Sequence, residues 1–263
     1  LAGNFVELFS SVQGEGPHVG ASTLFVRLGA CDLRCRWCDS PHTWQAAETC
    51  RIQVSRGSSE FREVANPVPV AAIAVAAEAL EFARHAFVAL TGGEPLLQPE
   101  VVRALAEALR GRGPRIHLET HGLAHEALAH VVDAVDLVAM DWKLASDVRR
   151  AGDSFREAGA DFHGEHEAFL RVARRAPEVF VKIVVTASSR DEEVLEAARR
   201  IARVDRQILL VLQPVTPRGP VTERPDAAPR PRRAVRSASA ERGSARPPWA
   251  VPGPASARGR ASA

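Results

Sequence analysis

The chain alternates short apolar runs with longer amphipathic runs as far as Pro217. The short runs are rich in Val, Ile, Leu or Phe and predict buried strands over residues 24–28, 87–90, 116–119, 137–140, 179–185 and 208–212. The longer runs predict helices over residues 70–84, 99–110 and 191–203. Strands that alternate with helices predict a parallel sheet whose ligands bind at the carboxyl ends of the strands. Six such units predict an α/β fold in the form of a partial (βα)6 barrel with the helices outside.

Two segments interrupt this alternation. Residues 43–70 are polar and contain an Arg-Gly-Ser-Ser sequence, which predicts a loop or small excursion before the first long helix. Residues 218–263 contain no Leu, Ile or Phe, and their ten Arg stand against three acidic residues. Such a segment can bury too little apolar area to offset the conformational entropy that it would lose on folding. We therefore expect a catalytic domain over 1–217 and a disordered basic tail over 218–263. A shifted reading frame in a GC-rich gene would produce the same tail composition.

The overall composition is that of a globular protein, with 46% apolar and 25% charged residues. The sequence contains no run of eighteen apolar residues, so it predicts no membrane span, and no signal peptide is expected before the first strand. Three of the four cysteines lie within eight residues, which favours metal binding in a reducing compartment over a disulfide framework. We therefore expect a cytoplasmic protein with a metal site.

The cysteine cluster directly follows a predicted strand, so Cys31, Cys35 and Cys38 are expected on one tight loop. A cubane iron–sulfur cluster normally takes four thiolates. Three close cysteines without a comparable fourth therefore predict a [4Fe-4S] cluster with one iron left open. The alternatives are incidental core cysteines or a zinc site, which usually needs a fourth Cys or His at matching spacing. The remaining cysteine, Cys50, is predicted to be an unligated surface or half-buried thiol.

Two motifs together resemble the radical SAM superfamily, in which the open iron of the cluster binds S-adenosylmethionine (SAM). They are CDLRCRWC at 31–38 and LTGGEP at 90–95. Other elements narrow the resemblance to the 7-carboxy-7-deazaguanine synthase family, namely SVQGEG at 11–16, TLFVRLG at 23–29, ETHG at 119–122, DWK at 141–143 and LQPVTP at 212–217. The similarity extends over roughly residues 4–217.

The resemblance assigns residues to three binding regions. Cys31, Cys35 and Cys38 would hold the cluster, and Ser40 would supply an oxygen to Mg2+. The SAM pocket would be formed by Gly93, Glu94, Glu119, Asp141, Trp142, Lys143, Gln213, Pro214, Val215 and Thr216. The pterin substrate would contact Val12, Gln13, Gly14, Arg27 and Thr91. Among these, the guanidinium of Arg27 is suited to bind the substrate carboxylate in bidentate fashion, and no acid–base catalytic side chain is implied.

Ordinary structural roles compete with several of these assignments. Arg27 would otherwise be a surface arginine, Lys143 a charge at the end of a strand, and Ser40 the N-cap of a helix. His121 occupies a position where an amide or a small polar residue is expected, so it is assigned no catalytic role.

The implied reaction converts 6-carboxy-5,6,7,8-tetrahydropterin to 7-carboxy-7-deazaguanine with loss of ammonia, in the synthesis of 7-deazapurines such as queuosine. The implied partners are this pterin, a reductant such as flavodoxin or ferredoxin, and a second copy of the chain in a homodimer. Neither a membrane nor a nucleic acid is expected as a partner.

Two other interpretations stay open. The first is a cluster-binding but catalytically impaired protein with an interaction tail, because the basic tail replaces the last strand of the family. An activating enzyme for a glycyl radical protein would have the same cysteine spacing.

Overall fold

The computed structural model describes residues 1–156, 159–217, 221 and 223. The strands in these residues are β1 (Ala2–Gly3), β2 (Phe5–Val12), β3 (Ser22–Leu28), β4 (Leu33–Cys35), β5 (Thr49–Gln53), β6 (Phe61–Ala65), β7 (Val68–Pro69), β8 (Phe87–Gly92), β9 (Arg115–Thr120), β10 (Leu137–Asp141), β11 (Val148–Arg150), β12 (Glu178–Val185) and β13 (Leu209–Pro214). The α-helices are α1 (Val70–Ala79), α2 (Pro99–Leu109), α3 (His125–Val131), α4 (His163–Ala173) and α5 (Asp191–Val204).

The central element is a nine-stranded sheet in the order β13-β12-β10-β9-β8-β3-β2-β5-β6. Six neighbouring strands, β3, β8, β9, β10, β12 and β13, run parallel and follow one another in chain order. These are the six strands that the hydrophobic pattern predicts. The prediction of an α/β fold with a mostly parallel sheet is therefore confirmed.

Successive side chains of the parallel strands point to opposite faces of the sheet, one of which packs in the hydrophobic core while the other lines a cavity. In β9, Ile116 and Leu118 belong to the main core, whereas His117 and Glu119 line the cavity. Helix α2 buries apolar residues at helical spacing, namely Val101, Val102, Leu105, Ala106 and Leu109. Polar side chains at alternate strand positions therefore collect on the face of the sheet that bears the cavity.

Residues 43–70 form a small excursion rather than a loop, because this segment contains strands β5, β6 and β7. Strand β5 pairs in parallel with β2 and antiparallel with β6, and it extends the sheet at one edge. Cys50 lies in β5 and is fully buried in the main core, so it is not a surface thiol. The segment reads as polar because residues near a sheet edge are largely exposed to solvent. Strand β2, which joins this extension to β3, is also missing from the predicted strands.

The first predicted helix, over 70–84, ends earlier than expected. Helix α1 stops at Ala79, Glu81 has a left-handed backbone with φ of 53°, and a 3-10 turn follows at Phe82–Arg84. In the part of the chain that the structure covers, the helices are too short or too polar to cross a bilayer. The predicted tail lies outside the described residues apart from Val221 and Glu223, and its disorder stays a prediction.

Candidate active site

A cavity of about 540 Å3 lies at the carboxyl ends of the parallel strands. All six parallel strands contribute to its lining, through Phe25, Arg27, Thr91, Gly92, His117, Glu119, Ala139, Asp141, Phe180, Lys182 and Gln213. This is the edge at which open α/β sheets bind their ligands. The volume falls in the range of roughly 300–1,000 Å3 that is typical of small-molecule sites.

The cysteine loop brings its three thiols to this cavity. The lining residues include Cys31, Cys35 and Cys38, all as free thiols. Cys35 ends the short strand β4, which pairs antiparallel with β11. The amide of Arg36 also donates to the carbonyl of Asp147 at 3.0 Å. The middle of the loop is therefore held by the segment around β11.

The chemistry of the three thiols fits a cubane cluster. Burial raises the pKa of Cys31 to about 11 and that of Cys35 to about 12, so a bound cluster would have to displace thiol protons. In the described residues, no group of three or more His, Cys, Asp and Glu side chains is arranged to hold a single metal ion. A cubane places each thiolate on a different iron, so three separate thiols around one cavity suit it better than they suit zinc.

The Gly-Gly turn after β8 is required by close packing against the chain that leads into the cysteine loop. Gly92 has a φ of +150°, and a Cβ there would lie 2.2 Å from the carbonyl oxygen of Leu28. A Cβ on Gly93 would lie 2.2 Å from the carbonyl oxygen of Ala30. Only glycine permits these approaches. The turn therefore brings the end of β8 against the chain just before the first cysteine.

Glu94, the residue after this turn, is fully buried and joins the ends of β8 and β9. Its carboxylate accepts hydrogen bonds from the amide of Leu96 at 3.0 Å, the hydroxyl of Thr120 at 2.8 Å and the amide of His121 at 2.8 Å. Three donors leave this carboxylate well satisfied. The Glu94 carboxylate is therefore held by hydrogen bonds to other groups of the protein.

A chain of alternating charges crosses the cavity. Asp141 accepts from Nζ of Lys143 at 2.7 Å and lies 3.1 Å from Nζ of Lys182. Lys182 also donates to Glu15, whose other carboxylate oxygen accepts from Nε2 of Gln213 at 2.8 Å. The loop after β2 is thereby connected to the ends of β10, β12 and β13.

These charges are stable because they neutralise one another in a buried place. Burial by itself raises the pKa of Asp141, but Lys143 and Lys182 outweigh that effect and lower it to about 2. Burial also disfavours the charged form of both lysines, yet the neighbouring carboxylates keep the pKa of each raised. Asp141 and the two lysines are therefore charged at neutral pH.

Gln13 and Arg27 also line the cavity. Nε2 of Gln13 donates to Oε1 of Glu119 at 2.7 Å and lies 3.5 Å from Nδ1 of His117. Nε of Arg27 donates to Oε1 of Glu7 at 2.8 Å. A guanidinium and a fixed amide thus face the same enclosed space as the thiols.

Comparison with known proteins shows where the chain belongs. A family model described as the radical SAM superfamily matches residues 26–202. The 7-carboxy-7-deazaguanine synthase of Geobacter sulfurreducens is 38% identical over 218 residues, which are 81% of this chain and 82% of that protein. The chain belongs to the 7-carboxy-7-deazaguanine synthase family of the radical SAM superfamily.

Two further matches have lower identity. The 7-carboxy-7-deazaguanine synthase of Methanocaldococcus jannaschii is 29% identical over 213 residues, or 81% of this chain and 83% of that protein. The crystal structure of QueE from Escherichia coli aligns with a TM-score of 0.42 at 17% identity, covering 80% of this chain and 93% of that one. Membership of the 7-carboxy-7-deazaguanine synthase family identifies the chain as a radical SAM enzyme. The two alternative interpretations, a zinc site and a glycyl radical activating enzyme, are not favoured by this membership.

Most of the residues that the synthase family resemblance assigns lie together in the structure. The cavity is lined by Gln13, Gly14, Arg27, Cys31, Cys35, Cys38, Ser40, Thr91, Gly93, Glu119, Asp141, Lys143, Gln213, Val215 and Thr216. Four assigned residues are not among the described lining residues, namely Val12, Glu94, Trp142 and Pro214. The binding roles of all these residues stay predictions.

Strand geometry explains two of the four exceptions. Trp142 stands between two residues that line the cavity, so its side chain points the other way and is 1% exposed. Its Nε1 donates to Nδ1 of His163 at 2.9 Å. Pro214 lies between Gln213 and Val215 in the same alternating manner.

Ser40 lies at the edge of the cavity beside Asp39. Its hydroxyl donates to Oδ1 of Asp39 at 2.9 Å. It occupies the N-cap position of the 3-10 turn Pro41–Thr43, but its side chain makes no capping hydrogen bond.

Sequence reasoning missed several polar residues at the site. His117 and Lys182 line the cavity but were not singled out, although each is two positions from another lining residue on its strand. Because every second side chain of a strand points to the same face, the sequence could have predicted that His117 and Lys182 line the cavity. His121 is also in the lining, and its Nε2 donates to Oδ1 of Asp32 at 2.9 Å, which ties the end of β9 to the cysteine loop.

Proposed function

We propose that this chain converts 6-carboxy-5,6,7,8-tetrahydropterin to 7-carboxy-7-deazaguanine with loss of ammonia, as a radical SAM enzyme of queuosine biosynthesis. One observation carries the proposal: the three thiols of the cysteine loop and the guanidinium of Arg27 line one cavity. A pterin carboxylate held at Arg27 would therefore share an enclosed space with the cluster and with SAM.

The chain's own residues would bind and orient the reactants. Cys31, Cys35 and Cys38 would hold the cluster. When bound, the cluster and SAM supply the radical chemistry that removes a hydrogen atom from the substrate. Asp141 and Lys143 would offer SAM hydrogen-bonding groups that already neutralise each other, so their positions are set before SAM arrives.

The substrate would be held beside Arg27 and Thr91, which both line the cavity. The guanidinium of Arg27 suits bidentate binding of a carboxylate, and Thr91 lies beside Arg27 in the register of β3 and β8. Phe25 and Phe180 add apolar surface to the lining. This surface would help to exclude water from the reacting atoms.

The remaining parts of the proposal follow from the family resemblance. Mg2+ would bind at Ser40, where a hydroxyl and the Asp39 carboxylate are 2.9 Å apart and supply the oxygen atoms that this cation prefers. The six parallel strands would act as a partial (βα)6 barrel within a catalytic domain over 1–217. We also propose a homodimer in the cytoplasm that receives electrons from flavodoxin or ferredoxin.

The test is turnover by the full chain after anaerobic reconstitution with iron and sulfide. With SAM, reductant, Mg2+ and 6-carboxytetrahydropterin, we expect 7-carboxy-7-deazaguanine and ammonia, measured by mass spectrometry and an ammonia assay. Cys35→Ala should lose product and most of the bound iron. The matched control is Cys50→Ala, because that cysteine lies in the main core away from the cavity, and it should keep both. SAM cleavage without deazapurine product would contradict the proposal and favour the catalytically impaired protein.

A further inference from the structure

Arg27 and Glu7 form an ion pair between neighbouring strands beside the cavity. The two residues are direct partners in the antiparallel register of β2 and β3. Nε of Arg27 donates to Oε1 of Glu7 at 2.8 Å, and each side chain is 19% exposed. Arg27 lines the cavity, whereas Glu7 is not among the described residues that do. Glu7 therefore lies beside the arginine, on the same face of the sheet but outside the described cavity lining.

The pair leaves most of the guanidinium available. A guanidinium has five N–H donors in a rigid planar fork, and Glu7 takes the one on Nε. In the described residues, the structure records no other hydrogen bond from the Arg27 side chain. The four donors on the two Nη atoms are thus available to a ligand, and two parallel N–H groups match a carboxylate.

We propose that Glu7 is a positioning residue for substrate binding, because it holds Nε of Arg27 and so presents the Nη edge of the guanidinium to a ligand carboxylate in the cavity. This inference rests on the proposed function, in which Arg27 binds the carboxylate of the pterin. It adds a residue that does not itself touch the substrate.

Two effects of Glu7 oppose each other. Its negative charge weakens the attraction of Arg27 for another carboxylate. Its hydrogen bond, however, fixes a long side chain that otherwise has considerable rotamer freedom, and bidentate binding needs a fixed guanidinium plane. We expect positioning to dominate, because the hydrogen bond is short and the pair is largely shielded from solvent.

Substitutions separate the two effects. Glu7→Ala removes both the charge and the acceptor, whereas Glu7→Gln keeps an acceptor oxygen and removes only the charge. Positioning predicts that Glu7→Ala binds a carboxylated pterin about tenfold more weakly and that Glu7→Gln stays within about twofold of the unsubstituted chain. If charge dominated, both variants would bind the carboxylated pterin more tightly, which would overturn the inference.

The experiment measures binding by isothermal titration calorimetry to the full, reconstituted and unreduced chain with SAM present. The probes are 6-carboxypterin and pterin, which differ in the carboxylate. Glu7→Ala should weaken only the binding of 6-carboxypterin. The matched control is Glu63→Ala, since Glu63 is an exposed acid on β6 of the same sheet, and it should bind both probes normally. In steady-state turnover, Glu7→Ala should raise KM for the carboxytetrahydropterin with kcat within about twofold.

A double-substitution cycle tests whether Glu7 acts through Arg27. In an Arg27→Ala background, adding Glu7→Ala should cost no further affinity for 6-carboxypterin. Equal weakening of both probes, an unchanged affinity in Glu7→Ala, or an additive loss in the double variant would overturn the inference while the proposed function stands. An unsubstituted chain that binds both probes equally would contradict the proposed substrate itself, and the inference with it.

Discussion

His166 shows how single buried residues hold this cavity in shape. The residue is fully buried in α4. Its Nδ1 donates to the carbonyl of Gly122 at 2.8 Å, and its Nε2 accepts from the amide of Lys143 at 2.8 Å. The same ring therefore satisfies backbone groups after β9 and after β10, which a histidine achieves only in its neutral form.

The neutral state of His166 gives a pH dependence. Burial lowers the pKa of His166 from 6.5 in the unfolded chain to about 3. Between these two values the unfolded chain binds more protons than the folded one, so the stability that His166 contributes is present above pH 6.5 and falls with the pH below it.

We expect His166→Ala to lower the free energy of unfolding by about 3 kcal/mol at pH 7.5, because two buried backbone groups lose their partners and a cavity remains. The difference between the two proteins should shrink as the pH is lowered towards 5, as measured by urea unfolding at each pH. His125→Ala, on the exposed side of α3, is the control and should stay within about 0.5 kcal/mol. A difference that stays constant or grows at low pH would contradict this account.

At the scale of elements, the short strands β4 and β11 connect the cysteine loop to the body of the sheet. Their antiparallel pairing joins Cys35 to Val148. The neighbouring Asp147 is 1% exposed; its Oδ2 accepts from the hydroxyl of Thr186 at 2.9 Å and its Oδ1 accepts from the hydroxyl of Ser188 at 2.6 Å. The loop after β12 therefore anchors β11, and β11 anchors the cysteine loop.

Asp147→Asn should loosen this connection, because an amide offers one acceptor oxygen where the carboxylate offers two. We expect a loss of about 1–3 kcal/mol in stability, together with faster hydrogen exchange over residues 33–37 and less iron retained after reconstitution. Asp153→Asn replaces an exposed acid in the same part of the chain and should change none of these. Unchanged exchange in Asp147→Asn would show that β4 is held without this anchor.

For the whole molecule, the charge along the chain is uneven. Residues 227–263 contain eight Arg and one acidic residue, with no Leu, Ile or Phe. Within the residues that the structure describes, in contrast, the buried apolar side chains lie between Phe5 and Val215. From this composition we expect the last segment to add charge to the molecule and no apolar area to its core.

A chain that ends at Asp226 should therefore fold as well as the full chain. We expect the midpoint of thermal unfolding to change by less than about 2 °C, as measured by circular dichroism at matched ionic strength. A decrease of more than about 5 °C would show that residues 227–263 stabilise the fold and would contradict the predicted disordered tail. The loss of eight Arg should also weaken binding to a polyanionic column, since such binding depends on net positive charge.

Local pattern was sufficient to predict the main sheet and the cysteine loop. Five of the six parallel strands are mostly buried, and burial of a strand requires a short continuous apolar run that can be seen in sequence. The sixth, β13, has a similar apolar run although it is an edge strand without a buried residue. The extension β5 and β6 escaped prediction because strands near a sheet edge need few apolar residues. The two glycines at 92 and 93 could be recognised as a motif, but the close approach that demands them is visible only in three dimensions.

What the sequence determined by itself was the chemistry available: three thiols at cluster spacing, a glycine turn after a strand, and the succession of strands and helices that places strand ends at one edge. The tertiary structure alone decided which polar side chain meets which, as with Glu7 and Arg27, Asp141 and Lys182, or His166 and the amide of Lys143. The physical reason is that hydrophobic periodicity is a local property of the chain. A hydrogen bond between residues distant in sequence depends on strand register and side-chain direction, which are fixed only when the sheet has formed.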